Sequence, residues 1–497
     1  MSPPVNYASA ALTQKKHVLP GQTDCVFTIR GNVALLTGMY PLKVVRDATS
    51  YYAEGFQFTD AYRRRKWDGK KHFFDQLHST MPSGLVPLVV EKLKEYDAEG
   101  KVRVLDETLA NCPAIGNKGF DLEGIEFGVG KFDYQLAAAN AMVQGRRGVL
   151  KIATNGGKTE VAIAVTRHLA LRTLFLVEKL GLLYQTQKRF AKRLGVPLES
   201  IGFVGDSKCS LGPWVTVATP TSLANRLEQP EIAAWLPGVQ VLFADECHHV
   251  AADTFYDVVS RIPAYFRFGL SGTPLDRQDG ADLRLLAQTG PVLYSVPNKL
   301  LVERGISVPP EVEMMKVETP MLPAKGMIWR EVEKLGVIEN VSLNNRVADK
   351  AVEHAKLGKQ VLILVEKIKQ GTNIQTYITG LAPRLSVLYL TGKEKGEDRE
   401  KLLGEFMSGK YRVIIATPIL DEGVDVPNID VLILAAGGKA KIKLLQRVGR
   451  GLRLGVDKTR LLVIDFANFC HPWLIKHSLA RLQTYKAEEC FTIRTAA

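Results

Sequence analysis

The segment Gly148-Val-Leu-Lys-Ile-Ala-Thr-Asn-Gly-Gly-Lys-Thr159 decides the fold class, because it joins an apolar strand-like run to a turn of small residues and then to a helical pattern. Small residues let backbone N–H groups wrap around phosphates. Lys158 then reaches the β- and γ-phosphates, and the Thr159 hydroxyl ligates Mg²⁺. Ile152 stands where the strict pattern has glycine, so a Gly-Gly turn with a surface lysine is the alternative. The predicted nucleotide-binding residues are Thr154, Asn155, Gly156, Gly157, Lys158 and Thr159.

A second apolar run, Val239-Gln-Val-Leu-Phe-Ala-Asp-Glu246, ends in two carboxylates. Downstream of a phosphate loop, Asp245 is placed to hold Mg²⁺, and Glu246 is placed to orient and activate an attacking water. Taken alone, the same pattern indicates only a strand followed by a charged turn. Because no second cluster of metal ligands occurs in the sequence, we expect a coupling role for His248 rather than metal ligation.

Strand-like and helical patterns alternate along most of the chain, which favours parallel sheets with helices on both faces. We therefore expect two α/β domains in series, each with about five strands. Residues 301–340 are rich in proline and charge and are interpreted as a linker or insertion. The predicted divisions are a small mixed α/β domain at 1–125, a first α/β domain at 126–300, the linker at 301–340, a second α/β domain at 341–470, and a helix and tail at 471–497.

The chain has 497 residues and a formal net charge of +13. A basic excess of this size favours a polyanionic partner, nucleic acid first. No apolar run approaches the roughly 18 residues that a membrane span needs. The six cysteines are scattered and form no CxxC pair. We therefore expect an intracellular, cytoplasmic protein without a membrane partner, a zinc site or a disulfide scaffold.

The tetrad Asp245-Glu-Cys-His248 resembles the DExH box of superfamily 2 helicases and translocases. Further motifs of that superfamily occur in the same order, namely Phe132-Asp-Tyr-Gln135, Ser271-Gly-Thr-Pro274, Thr417–Pro427 and Gln446-Arg-Val-Gly-Arg-Gly-Leu-Arg453. The resemblance covers residues 130–470 and implies two tandem RecA-like domains that hydrolyse ATP with Mg²⁺. It also implies adenine contact by Gln135, coupling of hydrolysis to movement by His248, Ser271 and Thr273, nucleotide contact by Asp425 and Gln446, and an arginine finger from Arg450 and Arg453.

The residue types agree with that role for the two arginines. Phosphoryl transfer needs positive charge near the γ-phosphate in the transition state. Arg450 and Arg453 are three residues apart and share a face if they are helical. They belong to the second domain and Lys158 to the first, so we expect the nucleotide to lie between the domains and to control their closure. A basic surface helix is the alternative for Arg447, Arg450 and Arg453. The predicted catalytic residues are Lys158, Asp245, Glu246, Arg450 and Arg453.

In this superfamily, loops on one face of both domains track the nucleic-acid backbone. Hydroxyls and backbone amides suit phosphates, which carry no sequence information. For each such residue an ordinary turn or cap is the alternative. The run of Lys439, Lys441 and Lys443 has two interpretations, a site that binds the nucleic-acid backbone or a solvated loop. The contacts implied by the resemblance are Lys179, Thr219, Thr221, Thr391 and Thr417.

Basic and aromatic residues are interleaved in Ala61-Tyr-Arg-Arg-Arg-Lys-Trp-Asp-Gly-Lys-Lys-His-Phe-Phe-Asp75, which suits backbone contact with base stacking. The alternative is a hairpin whose aromatics, Trp67 and Phe73, fill a small core. With Met81-Pro-Ser-Gly-Leu-Val-Pro87, this segment resembles the N-terminal domain of UvsW-type phage helicases. The predicted nucleic-acid contacts are Arg63, Arg64, Arg65 and Lys66.

That resemblance implies an ATP-dependent DNA helicase that regresses forks, migrates Holliday junctions and unwinds R-loops in phage replication, recombination or repair. The implied partners are branched DNA, RNA–DNA hybrids, and recombination or replication proteins in the cytoplasm of an infected host cell. An RNA helicase or RNA–DNA hybrid unwinding enzyme of the same motor class is the main alternative, because the motor core does not separate RNA from DNA. A restriction-type translocating subunit would need a nuclease domain that the sequence does not display. A non-catalytic clamp would not need the whole hydrolytic set.

Overall fold

The computed structural model describes residues 24–97, 101–275, 280–317, 319–391, 396–417, 429–436, 438, 441–455 and 458–495. Two compact units form. The first ends at Ala114 and takes in a second segment that ends at Pro291, whereas the second begins at Ile115 and resumes at Val292. Among the described residues, no helix is long and apolar enough to cross a membrane.

The first unit is built on a four-stranded sheet in the order β5-β2-β1-β6, in which only β1 and β6 are parallel. A tight turn at Gly31, with a φ of 59°, joins the first two strands. Two further strands, β3 and β4, form a separate antiparallel pair. The elements are β1 Cys25–Arg30, β2 Val33–Thr37, α1 Leu42–Ala48, β3 Ser50–Tyr52, α2 Asp60–Arg63, β4 Lys70–His72, β5 Thr80–Pro82, α3 Val86–Tyr96 and β6 Val102–Asp106.

The second unit contains two α/β domains. The first has an eight-stranded sheet in the order β10-β9-β11-β8-β12-β13-β7-β14, parallel except at the β9–β10 edge. Its central strands are continuous apolar runs because helices cover both faces. The elements are α4 Tyr134–Gly145, β7 Arg147–Ile152, α5 Lys158–Leu169, β8 Thr173–Leu176, α6 Leu180–Leu194, β9 Ile201–Gly205, β10 Lys208–Ser210, β11 Val215–Ala218, α7 Pro220–Ala224, α8 Pro230–Trp235, β12 Val241–Asp245, α9 Asp253–Arg261, β13 Phe266–Ser271, α10 Asp282–Thr289, β14 Val292–Val296 and α11 Asn298–Glu303.

The second domain has a seven-stranded parallel sheet in the order β17-β18-β16-β19-β20-β15-β21. Buried aliphatic side chains such as Ile363, Ile415 and Ile433 fill the space between its strands and helices. The elements are β15 Pro310–Val317, α12 Trp329–Glu333, α13 Val341–Lys356, β16 Val361–Leu364, α14 Ile368–Leu381, β17 Val387–Leu390, α15 Gly396–Met407, β18 Val413–Ala416, β19 Val431–Leu434, α16 Lys441–Gly451, β20 Leu461–Asn468, α17 Pro472–Ala487 and β21 Thr492–Thr495.

The two α/β domains agree with the expected fold class, but three expected boundaries differ. Helix α10, expected in the first α/β domain, belongs to the first unit, where its Leu286 and Ala287 pack into the hydrophobic core of that unit. Strand β15, expected in a linker, lies between β20 and β21. Strand β21, expected in a tail, completes the second sheet. Each sheet also exceeds the expected five strands.

Candidate nucleotide-binding site

The phosphate loop connects β7 to α5, and Lys158 is the first residue of that helix. Gly157 has a φ of 81°, and a Cβ atom there would lie 2.4 Å from the side-chain nitrogen of Gln135. The positive φ therefore favours glycine, and an added Cβ atom would have to displace the end of the Gln135 side chain. The first N–H groups of a helix lack intrahelical partners and attract anions. The geometry suits a phosphate group beside Lys158.

Two side chains from the first turn of α4 hold this loop. Tyr134 Oη donates to the Gly156 carbonyl at 2.9 Å, and Gln135 Nε2 donates to the same oxygen at 3.3 Å. Burial raises the pKa of Tyr134 to about 12, so its hydroxyl keeps the proton that it donates. The sequence predicted Gln135 but missed Tyr134. Adenine contact by Gln135 stays a prediction.

Asp245 is the last residue of β12, and Glu246 follows it with a φ of 43°. Asp245 Oδ1 accepts a hydrogen bond from the Glu246 backbone N–H at 3.0 Å. Burial and the negative charge of Glu246 raise the pKa of Asp245 to about 6, and the positive charge of Lys158 opposes this shift. A partly buried carboxylate in this environment favours a nearby cation. The side chains of Asp245 and Thr159 line the same cavity, which fits a shared Mg²⁺ ion.

Within the described part of the chain, no group of three His, Cys, Asp or Glu side chains could hold a metal ion. Thr159 and Asp245 could each supply an oxygen ligand, and Mg²⁺ commonly completes its coordination with water and substrate phosphates. That ligand set is the usual one for Mg²⁺ in phosphoryl-transfer sites. The donor chemistry fits a metal that arrives with the nucleotide.

His248 links the carboxylates to the end of the next strand. Its Nδ1 lies 3.2 Å from Ser271 Oγ and 3.6 Å from Glu246 Oε2. Ser271 Oγ also accepts from the Thr273 backbone N–H at 3.1 Å and lies 3.5 Å from Glu246 Oε2. Burial lowers the pKa of His248 to about 4, so the ring is neutral at physiological pH. The three predicted coupling residues therefore form one contact network around Glu246, and their role in coupling stays a prediction.

Strand order explains why these groups meet. Strands β12, β13 and β7 are neighbours, and all three are parallel. The loops that follow them lie side by side at the carboxyl edge of the sheet, where ligands bind in open α/β folds. Lys179 follows β8, and Thr219 and Thr221 lie at the start of α7 after β11, so these residues come after the next strands along the same edge.

A cavity of about 890 Å³ opens at this edge between the two α/β domains. Arg453 enters it from the second domain, and its Nε donates to Asn155 Oδ1 at 2.8 Å. Burial and the positive charge of Arg189 lower the pKa of Arg453. Arg189, on α6, also lines the cavity and was not predicted. The predicted residues that line it are Gln135, Thr154, Asn155, Gly157, Lys158, Thr159, Asp245, Glu246 and Arg453.

Arg447 is not on a basic surface face. Its side chain is 8% exposed and its Nη2 donates to Glu366 Oε1 at 2.8 Å. This ion pair ties α16 to the end of β16. The surface-helix alternative is therefore wrong for Arg447. Asp425, Lys439 and the side chains of Lys441, Lys443, Gln446 and Arg450 lie outside the described residues.

The predicted nucleic-acid contacts of the α/β domains differ in exposure. Thr219 is buried and caps α7, accepting from the Ser222 backbone N–H at 3.3 Å. The cap alternative therefore describes its side chain. Thr417 is also buried, and Thr391 is half-buried. Lys179 and Thr221 are exposed beyond β8 and β11. These two have the accessibility that phosphate contact requires.

In the first unit, Arg63, Arg64, Arg65 and Lys66 are all exposed at the end of α2. Beside them Tyr52 stacks on Phe56 with ring centroids 4.6 Å apart, and Phe56 meets Tyr62 edge to face at 4.8 Å. We call this set the basic–aromatic surface. Phe73 is half-buried and Trp67 donates through Nε1 to the Lys70 carbonyl at 2.8 Å, so both are structural.

Comparison with known proteins identifies the class. Residues 129–276 match the family described as type III restriction enzyme, res subunit, and residues 343–455 match the helicase conserved C-terminal domain. With two tandem RecA-like domains, these matches define a superfamily 2 helicase, and the chain belongs to that superfamily. It is therefore an ATP-dependent nucleic-acid helicase or translocase.

Among individual relatives, the ATP-dependent DNA helicase uvsW of Enterobacteria phage T4 is a homologue, 24% identical over 90% of this chain and 93% of its own length. The DNA 3'-5' translocase XPB2 of Sulfurisphaera tokodaii is 26% identical over 83% of this chain and 95% of its own length. A fragment of a putative HsdR subunit of a type I restriction enzyme from Vibrio vulnificus YJ016 shares the fold, with a TM-score of 0.53 and 18% identity over 73% of this chain and 68% of that chain.

Proposed function

We propose that this chain is an ATP-dependent DNA helicase or translocase that remodels branched DNA, through fork regression, Holliday-junction branch migration and R-loop unwinding. The observation that carries the proposal is the basic–aromatic surface, which stands on a compact unit separate from the motor domains. The homology to uvsW supports the proposal because it spans 90% of the chain. A phage replication, recombination or repair context is part of the same proposal.

In the proposed hydrolysis, Lys158 holds the β- and γ-phosphates at the N-terminus of α5. Thr159 and Asp245 would hold Mg²⁺, which would supply positive charge to the phosphates when bound. Glu246 orients the attacking water and accepts its proton. Arg453, with Arg450, adds positive charge from the second domain as the γ-phosphoryl group leaves.

The contacts of Glu246 support the proposed coupling role. His248 and Ser271 both approach the Glu246 carboxylate, and Ser271 in turn holds the Thr273 backbone. A change in the charge or hydrogen bonding of Glu246 after hydrolysis would therefore alter the contacts of the segment that follows β13. We propose that this segment carries the change to the nucleic-acid contacts, as its motif does in the superfamily.

For the DNA contact, the basic–aromatic surface combines two complementary groups. Four consecutive exposed cations suit phosphates, and release of their counterions makes such binding depend strongly on salt. Tyr52 and Tyr62 are partly exposed at the two sides of Phe56, and exposed rings can stack on unpaired bases. Junctions and forks present both duplex phosphates and unpaired bases, which suits this combination.

The test is the steady-state ATPase rate with single-stranded DNA, duplex, a fork, a four-way junction, an RNA–DNA hybrid and single-stranded RNA, each at saturation. We expect the highest kcat with the fork and the junction. The highest kcat with RNA would keep the helicase class and replace the substrate. Equal stimulation by all DNA forms would contradict the branched-DNA assignment.

A further inference from the structure

Asn155 belongs to the phosphate loop, but its side chain contacts the second α/β domain and the segment that leads to it. Its Oδ1 accepts from Arg453 Nε at 2.8 Å. Its Nδ2 donates to the Gly449 carbonyl at 3.2 Å and to Ser307 Oγ at 3.3 Å. The amide oxygen and nitrogen are thus both used outside the loop, and the two acceptors and one donor agree on the orientation of the amide.

The surrounding packing is close enough to make this contact specific. A Cβ atom at Gly449 would lie 2.9 Å from Thr154 Oγ1, so the C-terminal part of α16 packs directly against the Thr154 side chain of the phosphate loop. Ser307 and Arg453 form an isolated antiparallel β-bridge through their backbones, and the Val308 N–H donates to the Leu452 carbonyl at 2.9 Å. Three chain segments therefore meet at Asn155.

An amide side chain can orient an arginine and still leave it able to bind a phosphate group. A buried guanidinium needs a hydrogen-bond acceptor. The neutral oxygen of Asn155 provides one and adds no negative charge beside Arg453. A carboxylate at this position would form an ion pair with Arg453, and that pair would compete with a phosphate group.

We propose that Asn155 is a positioning residue, which orients Arg453 in the cleft and ties the phosphate loop to the second domain. This inference rests on the proposed function, because it takes Arg453 as an arginine finger. It adds a role that the loop position of Asn155 does not predict, since the other loop residues act through their backbone or on the phosphates.

The experiment uses Asn155→Gly in the full chain. Asn155 has a φ of 75°, which glycine adopts freely, so the variant removes the side chain and keeps the backbone. Asn117→Gly is the matched control, because Asn117 also has a positive φ, of 52°, and is exposed away from the cavity. Asn155→Asp is the second variant.

The first measurement is amide hydrogen exchange without nucleotide. In Asn155→Gly, which removes three hydrogen bonds, exchange at residues 449–453 should rise by at least about tenfold, the factor for the one bond to a charged group alone. Asn155→Asp keeps the acceptor for Arg453 but loses the donor to Gly449 and Ser307, so it should retain only part of the protection. Asn117→Gly should leave the protection unchanged. Unchanged exchange in Asn155→Gly would overturn the inference.

The second measurement is a double-mutant cycle on kcat for ATP, with Asn155→Gly, Arg453→Gln and both together. If Asn155 acts through Arg453, its substitution lowers kcat in the wild-type background and has no further effect beside Arg453→Gln. Equal losses in both backgrounds would overturn the inference. A wild-type kcat in Arg453→Gln would instead overturn the role of Arg453 in the proposed function.

Discussion

At the scale of single residues, His248 shows how burial sets chemistry in the first α/β domain. The ring is 5% exposed, and the groups that face it are Glu246, Glu178, His249 and the cation of Lys158. Desolvation outweighs the two carboxylates and lowers the pKa of His248 from 6.5 to about 4. A neutral ring can exchange one hydrogen bond with Ser271 without adding charge beside Glu246.

This lowered pKa predicts a pH-dependent stability. The stabilisation from a neutral buried His248 is fully present above pH 6.5, and it is lost as the pH falls through 6.5 towards 4. The difference in thermal midpoint between the wild type and His248→Gln should therefore shrink between about pH 7 and about pH 5. Other carboxylates titrate in both proteins and cancel in the difference. A constant difference across this range would contradict the buried neutral ring.

Lys158 gives a second prediction at this scale. Lys158→Ala removes the cation at the start of α5 and should abolish ATP hydrolysis, while DNA binding stays largely intact. ATPase rates and DNA titrations on the same preparation measure both effects. Lys151→Ala, a half-buried lysine on the neighbouring strand, is the control. Retained hydrolysis in a clean preparation of Lys158→Ala would contradict the phosphate-loop assignment.

The residues whose positions in the structure agree best with the sequence pattern are those that a short local segment places. Lys158 and Asp245 follow apolar strands, so their positions depend on a few neighbouring residues. The hydrogen bonds between Asn155 and Arg453 and between Arg447 and Glu366 join residues that are far apart in the chain. No spacing in the sequence predicts such pairs, because they exist only after both sheets have formed.

At the scale of elements, strand β15 shows why a local pattern misleads. Its first residue, Pro310, and the preceding Pro309 favoured a linker. Proline is tolerated as the first residue of a strand, where no N–H is needed in the ladder. From there β15 pairs with β20 over eight residues, and its side chains are mostly buried. The two prolines therefore mark where the strand begins, although a proline-rich segment is typical of a linker.

Helix α10 depends on a close approach that only glycine permits. A Cβ atom at Gly84 would lie 2.1 Å from the Leu286 carbonyl oxygen, so Gly84→Ala forces α10 away from its neighbouring turn. Overpacking of this kind costs about 1–3 kcal/mol. Urea unfolding, monitored by the proteolytic susceptibility of the first unit, should show that loss of stability. Gly404→Ala, in a helix with open space around the added methyl, is the control. Equal stability of Gly84→Ala and the wild type would contradict the close packing.

At the scale of the whole molecule, a charge of +13 does not say where DNA binds, because 65 cations are spread along the chain. The motor domains offer few exposed candidates among the described residues, since Thr219 and Thr417 are buried. The first unit instead carries four consecutive exposed cations beside stacked rings. The proposed division of labour is therefore between hydrolysis in the second unit and grip on the branch in the first.

That division predicts a specific salt dependence. Replacing Arg63, Arg64 and Arg65 with glutamine should weaken junction binding and reduce the slope of log K against log salt by about 0.9 for each phosphate that the protein no longer neutralises. The control replaces Lys94, Lys192 and Lys356, which are also exposed, and changes the net charge equally. Because long-range attraction follows net charge, the control should lower affinity slightly and keep most of the slope. An unchanged slope in the arginine variant, or an equal change in both, would assign the run to a solvated face and place the DNA grip elsewhere.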